Sequence, residues 1–335
     1  MALLKKRILT GDRPTGPLHL GHYVGTLENR VLLQDKYDAF FIIADYQVLT
    51  DHLKDAKQIK ENIRQIVLDW LSVGMDPAKS TFFVQSMIPE IAELTMIFSF
   101  LVSMARLQRN PTVKEEAKAA HIAANEMSYG FFGYPVSQAA DILIVRANLV
   151  PVGGDQAPHV EQTRELARKF NATFGKVFPE PEPLFGKIDR LPGIDGKKMS
   201  KSMNNAIYLS DSPDAVTKKV MKAYTDPTRI HADDPGHIEG NVVFAYLDAF
   251  HPEKKELNSL KDRYKKGKVG DVEIKKLLID ILLKFLKPIQ NRRKKFEKNP
   301  KIIDTVLKAG NRRARKEAQE TMKLVRKAAS LDYPY

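Results

Sequence analysis

Residues 7–24 have the sequence RILTGDRPTGPLHLGHYV, and the character of this stretch changes twice along its length. An apolar start is followed by glycines and prolines over 11–17, residues that favour tight turns. Over 18–34 apolar side chains recur at helical spacing, and the apolar run at 39–44 has the length of a buried strand. The sequence therefore predicts a strand, a tight turn, a helix and a second strand, the βαβ unit of a parallel sheet.

The same alternation continues beyond this unit. Helices are predicted near 55–73, 89–107 and 135–146, with another interior strand at 81–84. Such alternation indicates an α/β fold with a mostly parallel sheet covered on both faces. Sheets of this kind bind ligands at the carboxyl ends of their strands, so a ligand is expected beside the turn at 11–16.

The last part of the chain has a different pattern. A stretch rich in proline, glycine and lysine, 176–205, shows no periodicity and is predicted to be a long loop. Beyond it only helical signals are strong, and the predicted helices are 211–226, 241–250, 253–266, 271–297 and 301–330. We therefore expect an α/β domain over 1–205 and a mainly α-helical domain over 206–335.

Composition and charge limit the function further. The chain has 335 residues and no cysteine, which excludes disulfides, thiolate catalysis, iron–sulfur clusters and cysteine-bound zinc. It lacks the apolar run of a signal peptide or a membrane span, so we expect a cytoplasmic protein and no membrane partner. The net charge is +13, and residues 251–335 have 25 Lys and Arg against 11 Asp and Glu, a net of +14. A polyanion is the expected partner of this basic end.

Two histidines, His19 and His22, open the predicted helix directly after the turn. Their spacing puts them on one helical face, and Gly21 between them leaves the backbone open to a flat group. The N-terminus of a helix offers free N–H groups and a partial positive charge, and two imidazoles can donate hydrogen bonds to phosphate oxygens. We interpret this element as the binding site of a nucleotide whose phosphate is attacked.

A second basic element, 197–205, lies in the connector and has the sequence KKMSKSMNN. Lys198 and Lys201 are interleaved there with Ser200 and Ser202. Point charges on a flexible loop can clamp a polyphosphate and release it afterwards. The loop is therefore predicted to bind the same nucleotide from a second side, and a plain basic linker is the alternative.

Together the two elements resemble the signatures of a known family. His19-Leu20-Gly21-His22 is similar to the HIGH signature, and Lys198-Met199-Ser200-Lys201-Ser202 matches the KMSKS signature, of class I aminoacyl-tRNA synthetases. The stretches 134–143 (YPVSQAADIL) and 150–156 (VPVGGDQ) narrow the resemblance to the tryptophanyl/tyrosyl subgroup, and the chain looks like the bacterial tryptophanyl enzymes. The resemblance implies a Rossmann-like catalytic domain and a helical domain that binds the tRNA anticodon stem.

A two-step reaction is implied by the resemblance. ATP and L-tryptophan form tryptophanyl-adenylate and pyrophosphate, and the acyl group then passes to tRNA(Trp). The implied catalytic residues are His19, His22, Lys198 and Lys201. The implied ATP-binding residues are Asp12, Arg13, Pro14, Gly21, His22, Gly153, Gly154, Asp155, Leu191, Lys198, Met199, Ser200, Lys201 and Ser202. Mg²⁺ is expected to enter with ATP, bound by phosphate oxygens and water, so no metal ligands are predicted in the chain.

The resemblance also implies a set of tryptophan-binding residues, namely Asp141, Gln156, Tyr134, Gln138 and Gln47. Asp141 matches the position that accepts a hydrogen bond from the indole N–H, and Gln156 the position that contacts the amino group. A buried acceptor penalises an amino acid without this donor, such as phenylalanine. Arg13 and Gln47 depart from the commonest pattern of the family, which leaves their roles open.

Two other activities remain open at this point. The spacing of Tyr134 and Gln138 before Asp141 is also the one that tyrosyl enzymes use to bind a phenol hydroxyl. A nucleotidylyltransferase shares the histidine element, although it requires neither the lysine loop nor the basic tail. The family further implies a homodimer, which we expect to form through the apolar region 82–100, and basic clusters such as those in 292–316 are expected near the anticodon stem.

Overall fold

The computed structural model describes residues 5–119, 122–123, 126–186, 191–199, 203–229, 231 and 233–333, except for the side chains of residues 119 and 155. Within this part of the chain one parallel sheet is formed by β1 (Arg7–Asp12), β2 (Asp38–Ile43), β3 (Ser80–Val84), β4 (Leu149–Val152) and β5 (Glu182–Phe185). The order across the sheet is β3-β2-β1-β4-β5, so the switch point lies between β1 and β4. The predicted α/β class is confirmed.

Helices cover the sheet and make up the end of the chain. β1 leads into α1 (Leu20–His22), which continues through a π-helical turn, Tyr23–Leu27, into α2 (Glu28–Leu33). Between the later strands lie α3 (Ile59–Val73), α4 (Glu90–Ser99), α5 (Met104–Gln108), α6 (Pro111–Ala119), α7 (Tyr129–Ile144) and α8 (Ala157–Phe174). After β5 come α9 (Pro213–Met221), α10 (Val242–Phe250), α11 (Lys254–Lys265), α12 (Asp271–Glu297) and α13 (Lys301–Ala328). None of the helices in the described residues combines the length and the apolar character that crossing a membrane requires.

The prediction of one long loop over 176–205 is wrong, because β5 lies within it and pairs with β4. β5 is an edge strand that contains Pro183, and a proline is tolerated at the edge of a sheet, where one side of the backbone has no strand partner. Proline is also a turn former, so the local sequence signal favours a loop. Pairing with a strand that is distant in sequence decides the conformation here.

Two of the predicted helices differ from the observed ones in a way that a capping residue explains. The helix predicted at 89–107 is divided into α4 and α5, and α5 starts where Ser103 Oγ accepts from the Arg106 backbone N–H at 3.3 Å. α7 begins before 135 because Ser128 Oγ accepts from the backbone N–H of Phe131 at 3.1 Å. Capping side chains, rather than apolar periodicity, set both starts.

Apolar side chains form a core on each face of the sheet. On one face Trp70 packs against Phe82 with ring centroids 5.2 Å apart, and this cluster continues into α9, α10, α11 and α12. On the other face Phe40 and Phe83 pack with α4, α7, α8 and α13. The core therefore runs across the predicted domain boundary at 205/206, and the division into two domains stays a prediction.

α13 lies against β3 at very short range. A Cβ on Gly310 would stand 1.8 Å from the carbonyl oxygen of Phe82, so a larger residue cannot take this place without moving backbone. Arg313 of the same helix pairs with Asp38 at the start of β2, with a distance of 2.5 Å between the charged atoms. Backbone contact and an ion pair thus fix the last helix to the sheet.

Several arginines of the basic tail make hydrogen bonds and ion pairs with the rest of the protein. Arg292 donates to the carbonyl of Ser72 at 2.5 Å, and Arg293 pairs with the buried carboxylate of Asp69 at 2.5 Å. Further ion pairs from α13 are Arg313–Asp38, Arg315–Glu90 and Arg326–Glu93. The expectation that the basic clusters face a tRNA stays a prediction.

We expect Gly310→Ala to lower the free energy of unfolding by about 3 kcal/mol, because the added methyl group overpacks the contact between α13 and β3. Gly133, within α7, has open space where a Cβ would stand, so Gly133→Ala is the matched control. The control should change stability by no more than about 1 kcal/mol, in the favourable direction. Urea unfolding of both variants measures the difference, and equal effects would contradict the close approach of α13.

Candidate active site

The carboxyl edge of the sheet contains one large cavity. Short 3-10 turns follow three of the strands at this edge, Tyr46–Thr50 after β2, Gln85–Met87 after β3 and Gly154–Gln156 after β4. Residues from the first and third of these turns, from the turn after β1, from α1 and α7 and from 191–199 line a cavity of about 940 Å³. It lies at the switch point between β1 and β4, where sheets of this kind bind ligands.

The β1 turn, residues 12–18, is held at both ends by adjacent residues of α3. Trp70 Nε1 donates to Asp12 Oδ2 at 2.9 Å, and the Leu18 backbone N–H donates to Asp69 Oδ2 at 2.8 Å. Arg30 also pairs with Asp12, with 2.6 Å between Nη1 and Oδ2. Burial raises the pKa of Asp12, but the charge and hydrogen bonds of Arg30, together with His22 and the Trp70 hydrogen bond, outweigh burial and hold that pKa below its usual value. Buried, charged groups therefore fix the position of the turn.

The two histidines lie side by side at the end of this turn. Their ring centroids are 3.8 Å apart, and His22 Nδ1 accepts from the His19 backbone N–H at 3.2 Å. A Cβ on Gly21 would stand 3.0 Å from the His19 ring and 3.0 Å from the sulfur of Met199. The missing side chain of Gly21 therefore lets the lysine loop approach α1 closely.

The described part of the lysine loop faces the same cavity. Lys197, Lys198 and Met199 line it together with the histidines. Asn205 holds the loop in place, because its Nδ2 donates to the Lys198 carbonyl at 3.1 Å and to Asp195 Oδ1 at 2.8 Å. The cavity therefore has imidazoles on one element and ammonium groups on another, an arrangement that suits a chain of phosphates.

Asp141 of α7 lines the cavity as a buried acceptor. The residue is 2% exposed, and it accepts from Gln47 Nε2 at 3.0 Å and from Gln85 Nε2 at 2.8 and 2.9 Å. Burial, together with the nearby charge of Asp45, raises the pKa of Asp141 to about 8, and the two amides act against this rise. The strength of this acceptor therefore depends on pH near neutrality.

Charged side chains interact with one another beside the β1 turn. Arg13 forms an ion pair with Asp51. Burial raises the pKa of Glu116, and a hydrogen bond with Tyr134 and the charges of Arg13 and Lys198 act against that rise. Arg13, whose role the sequence leaves open, is thus placed between acidic side chains at the cavity.

Most of the predicted site residues line this one cavity, namely Asp12, Arg13, His19, Gly21, His22, Gln47, Tyr134, Gln138, Asp141, Gly153, Gln156, Leu191, Lys198 and Met199. Pro14 and Gly154 do not line it. Pro14 is buried and its carbonyl accepts from Asn62 Nδ2 at 3.0 Å, while Gly154 is exposed. Ser200, Lys201 and Ser202 lie outside the described residues, as does the side chain of Asp155, and their roles stay predictions.

Sequence reasoning misses Gln85, Asp51 and Glu116. Gln85 directly follows β3, so the rule that ligands bind at the carboxyl ends of parallel strands indicates the position but not the residue. Asp51 and Glu116 belong to no motif. Their importance depends on tertiary contacts with Arg13 and Tyr134, which no local pattern contains.

Comparison with known proteins assigns the family. The family model described as tRNA synthetases class I (W and Y) matches residues 4–287. The chain belongs to this family. A tryptophan–tRNA ligase of Streptococcus mutans is 52% identical over 98% of this chain and 99% of its own length. One of Clostridium longisporum is 50% identical over 99% of this chain and 98% of its own length.

Solved synthetase structures have the same fold over the same length. The tryptophanyl-tRNA synthetase of Campylobacter jejuni, determined with ADP and tryptophan, is 34% identical, covers 97% of this chain and 100% of its own, and gives a TM-score of 0.83. That of Mycoplasma pneumoniae is 28% identical with 98% coverage of each chain and a TM-score of 0.81. The synthetase fold thus extends through the C-terminal helices of this chain.

The raised pKa of Asp141 predicts a pH-dependent stability. The folded protein keeps the carboxyl proton up to about pH 8, whereas the ordinary pKa is 3.8. Stability is therefore lost as the pH rises between these values, because the unfolded chain releases the proton first. We expect Asp141→Asn to remove this loss. The melting temperature of the variant minus that of the native protein should therefore become more positive from about pH 5 to about pH 8.5.

Calorimetry at both pH values measures this change. Asp280→Asn, at an exposed position of α12, is the matched control and should show no such trend. A constant offset between Asp141→Asn and the native protein at both pH values would mean that the carboxyl group is not neutral in the folded state.

Proposed function

We propose that this chain is a tryptophan–tRNA ligase, which activates L-tryptophan with ATP and transfers it to tRNA(Trp). Relatives at 50–52% identity have this name and match the chain over nearly its whole length. The observation on which the proposal rests is that the histidine pair, the lysine loop and Asp141 line one cavity. The first two elements suit a triphosphate, and the buried carboxyl group suits a ring N–H donor.

In the first step ATP binds with its phosphates between the histidines and Lys198. An oxygen of the tryptophan carboxylate attacks the α-phosphorus, a new oxygen–phosphorus bond forms, and the bond to the pyrophosphate oxygen breaks. His19 and His22 donate hydrogen bonds to the charge that develops on the α-phosphate, and Lys198 stabilises the leaving pyrophosphate. Catalysis consists of positioning and electrostatic stabilisation, without a covalent enzyme intermediate.

In the second step a hydroxyl of the 3′-terminal ribose of the tRNA attacks the acyl carbon. The ester bond to the tRNA forms, and the bond to AMP breaks. On α13 Arg312 and Lys316 are exposed, and both suit contacts with tRNA phosphates.

Amino-acid recognition depends on Asp141 and Gln156. In its ionised form Asp141 accepts a hydrogen bond from the indole N–H, and Gln156, which lines the same cavity, contacts the α-ammonium group. Phenylalanine has no ring donor, so its binding leaves a buried acceptor unpaired. This difference supplies the selectivity.

Tyrosine fits the site less well. The Tyr134 hydroxyl is already bonded to His159 Nε2 at 3.0 Å and to Glu116, and Gln138 Nε2 lies 3.5 Å from Gln156 Oε1. The pair that would bind a phenol hydroxyl therefore has partners within the protein. A nucleotidylyltransferase is excluded by the family.

The remaining parts of the proposal concern Mg²⁺, the dimer and the location. Mg²⁺ enters as a component of the ATP substrate, bound by phosphate oxygens and water. No group of three or more acidic or histidine side chains in the described part of the chain is arranged to hold a metal ion.

The homodimer forms through Met96, Phe100 and Met104, which are exposed, whereas Phe82 of the expected region is buried. We propose a cytoplasmic location, because the proposed substrates ATP and tRNA are present there.

Exchange of radioactive pyrophosphate into ATP tests the activity. We expect exchange that requires tryptophan and that is at least about 100-fold slower with phenylalanine or tyrosine, because a mispaired buried acceptor costs several kcal/mol. Faster exchange with tyrosine would assign the tyrosyl activity instead. No exchange with any of the twenty amino acids would remove the synthetase proposal.

Lys198→Ala should reduce kcat for tryptophan-dependent exchange about 100-fold, the usual cost of losing one group that stabilises transition-state charge. The dissociation constant for tryptophan should change less than about twofold, since Lys198 acts on phosphates. Lys218→Ala, at an exposed position of α9, is the matched control. Equal losses in kcat and in tryptophan affinity would contradict a role in the transition state.

A further inference from the structure

Gln85 is a buried amide directly after β3, behind the tryptophan-binding residues implied by the family. The residue is 0% exposed, and both ends of its side chain are bonded. Its Oε1 accepts from the Tyr46 backbone N–H at 3.1 Å, and its Nε2 donates to Asp141. A backbone N–H can only donate and a carboxylate can only accept, so the orientation of the amide is fixed at both ends.

The hydrogen bonds to Asp141 leave little of its acceptor capacity free. An ionised carboxylate has about four acceptor sites, two on each oxygen. Oδ2 accepts from Gln47 at 3.0 Å and from Gln85 at 2.9 Å, and Oδ1 accepts from Gln85 at 2.8 Å. Oδ2 is thereby saturated, and Oδ1 keeps one site for a ligand in the cavity that Asp141 lines.

The Gln85 amide also favours the ionised form of Asp141 against the effects that oppose ionisation. Burial and the charge of Asp45 both favour the neutral form of Asp141. Asp45 is itself held in place by Ser86, whose backbone N–H and Oγ donate to it at 2.9 and 2.5 Å. The hydrogen bond from Gln85 is the largest of the effects that favour the ionised form, and that from Gln47 is smaller. A protonated Asp141 would present an O–H donor where a ring N–H needs an acceptor.

We propose that Gln85 is a specificity-determining positioning residue, which orients Asp141 and favours its ionised form, so that one acceptor site of Oδ1 meets the ring N–H of the amino acid. The inference rests on the proposed function, because that function supplies the indole donor. Gln85 does not line the cavity and acts through Asp141. Gln47 makes one hydrogen bond to the same carboxylate and provides an internal comparison.

Gln85→Met tests the proposal, because methionine has nearly the same volume and no amide. Calorimetry gives the dissociation constants for tryptophan, and for indole-3-propionate, which has no titrating amino group, from about pH 6.5 to about pH 8.5. In the native protein we expect affinity to rise with pH as Asp141 ionises. In Gln85→Met the midpoint of this rise should move up by about one pH unit, with about tenfold weaker binding at neutral pH.

Three comparisons keep the test specific. Gln47→Met should move the midpoint in the same direction by a smaller amount. Gln85→Glu, which keeps the shape and exchanges the donor for an acceptor, should weaken tryptophan binding at least as strongly as Gln85→Met. The dissociation constant for ATP should change less than about twofold in each variant, because the hydrogen bonds of Gln85 within the described residues are with Tyr46 and Asp141.

Adding Asp141→Asn to Gln85→Met completes a double-mutant cycle. The double variant should bind tryptophan as Asp141→Asn does, within about twofold, because no ionised group remains to be held. Three outcomes would overturn the proposal: tryptophan binding by the double variant that is a further tenfold weaker than by Asp141→Asn, a loss of affinity in Gln85→Met that is equal at every pH, or native affinity in Gln85→Met. Native protein that binds no tryptophan would instead refute the proposed function, so the two failures are distinguishable.

Discussion

The β1 turn depends on two adjacent residues of α3, and the remainder of the site is built upon that turn. Asp69 and Trp70 are buried, and a buried charge requires a complete set of partners. Asp69 has the Leu18 N–H on one side and Arg293 on the other. Because His19 follows Leu18 directly, this carboxylate helps to position the imidazole that we propose to be catalytic. Arg293 belongs to α12, so the C-terminal helices contribute to the position of the β1 turn.

The fold could be predicted from the sequence where the signal is local. The apolar runs at 39–44 and 81–84 lie at β2 and β3, because strands buried on both faces are apolar throughout. β5 could not be predicted, since Pro183 favours a turn and only pairing with β4 makes the segment a strand. The start of α7 could not be predicted from apolar periodicity either, because the helix begins where the Ser128 hydroxyl caps it.

The site was predictable to the extent that motifs mark it. His19, His22 and Lys198 have signatures, and the structure brings them to one cavity. Gln85 has none, because its proposed role arises from two hydrogen-bonding neighbours on different elements, Tyr46 and Asp141. The net charge of the tail can be counted from the sequence. Which of its basic side chains form ion pairs with acidic residues near the sheet cannot, because such pairing depends on the tertiary structure. Composition alone cannot separate an arginine such as Arg293 from one that faces solvent.

The chain contains a single tryptophan, and it is Trp70, whose ring N–H holds Asp12. With the proposed activity, each new copy of the enzyme incorporates one residue of the amino acid that the enzyme delivers to the ribosome. A copy mistranslated with phenylalanine at this codon lacks the indole donor to Asp12, and its β1 turn keeps Arg30 but loses one of its anchors. Mischarging of tRNA by existing enzyme molecules therefore impairs newly made ones. The accuracy of translation and the structure of the enzyme that supplies it with charged tRNA thus depend on each other.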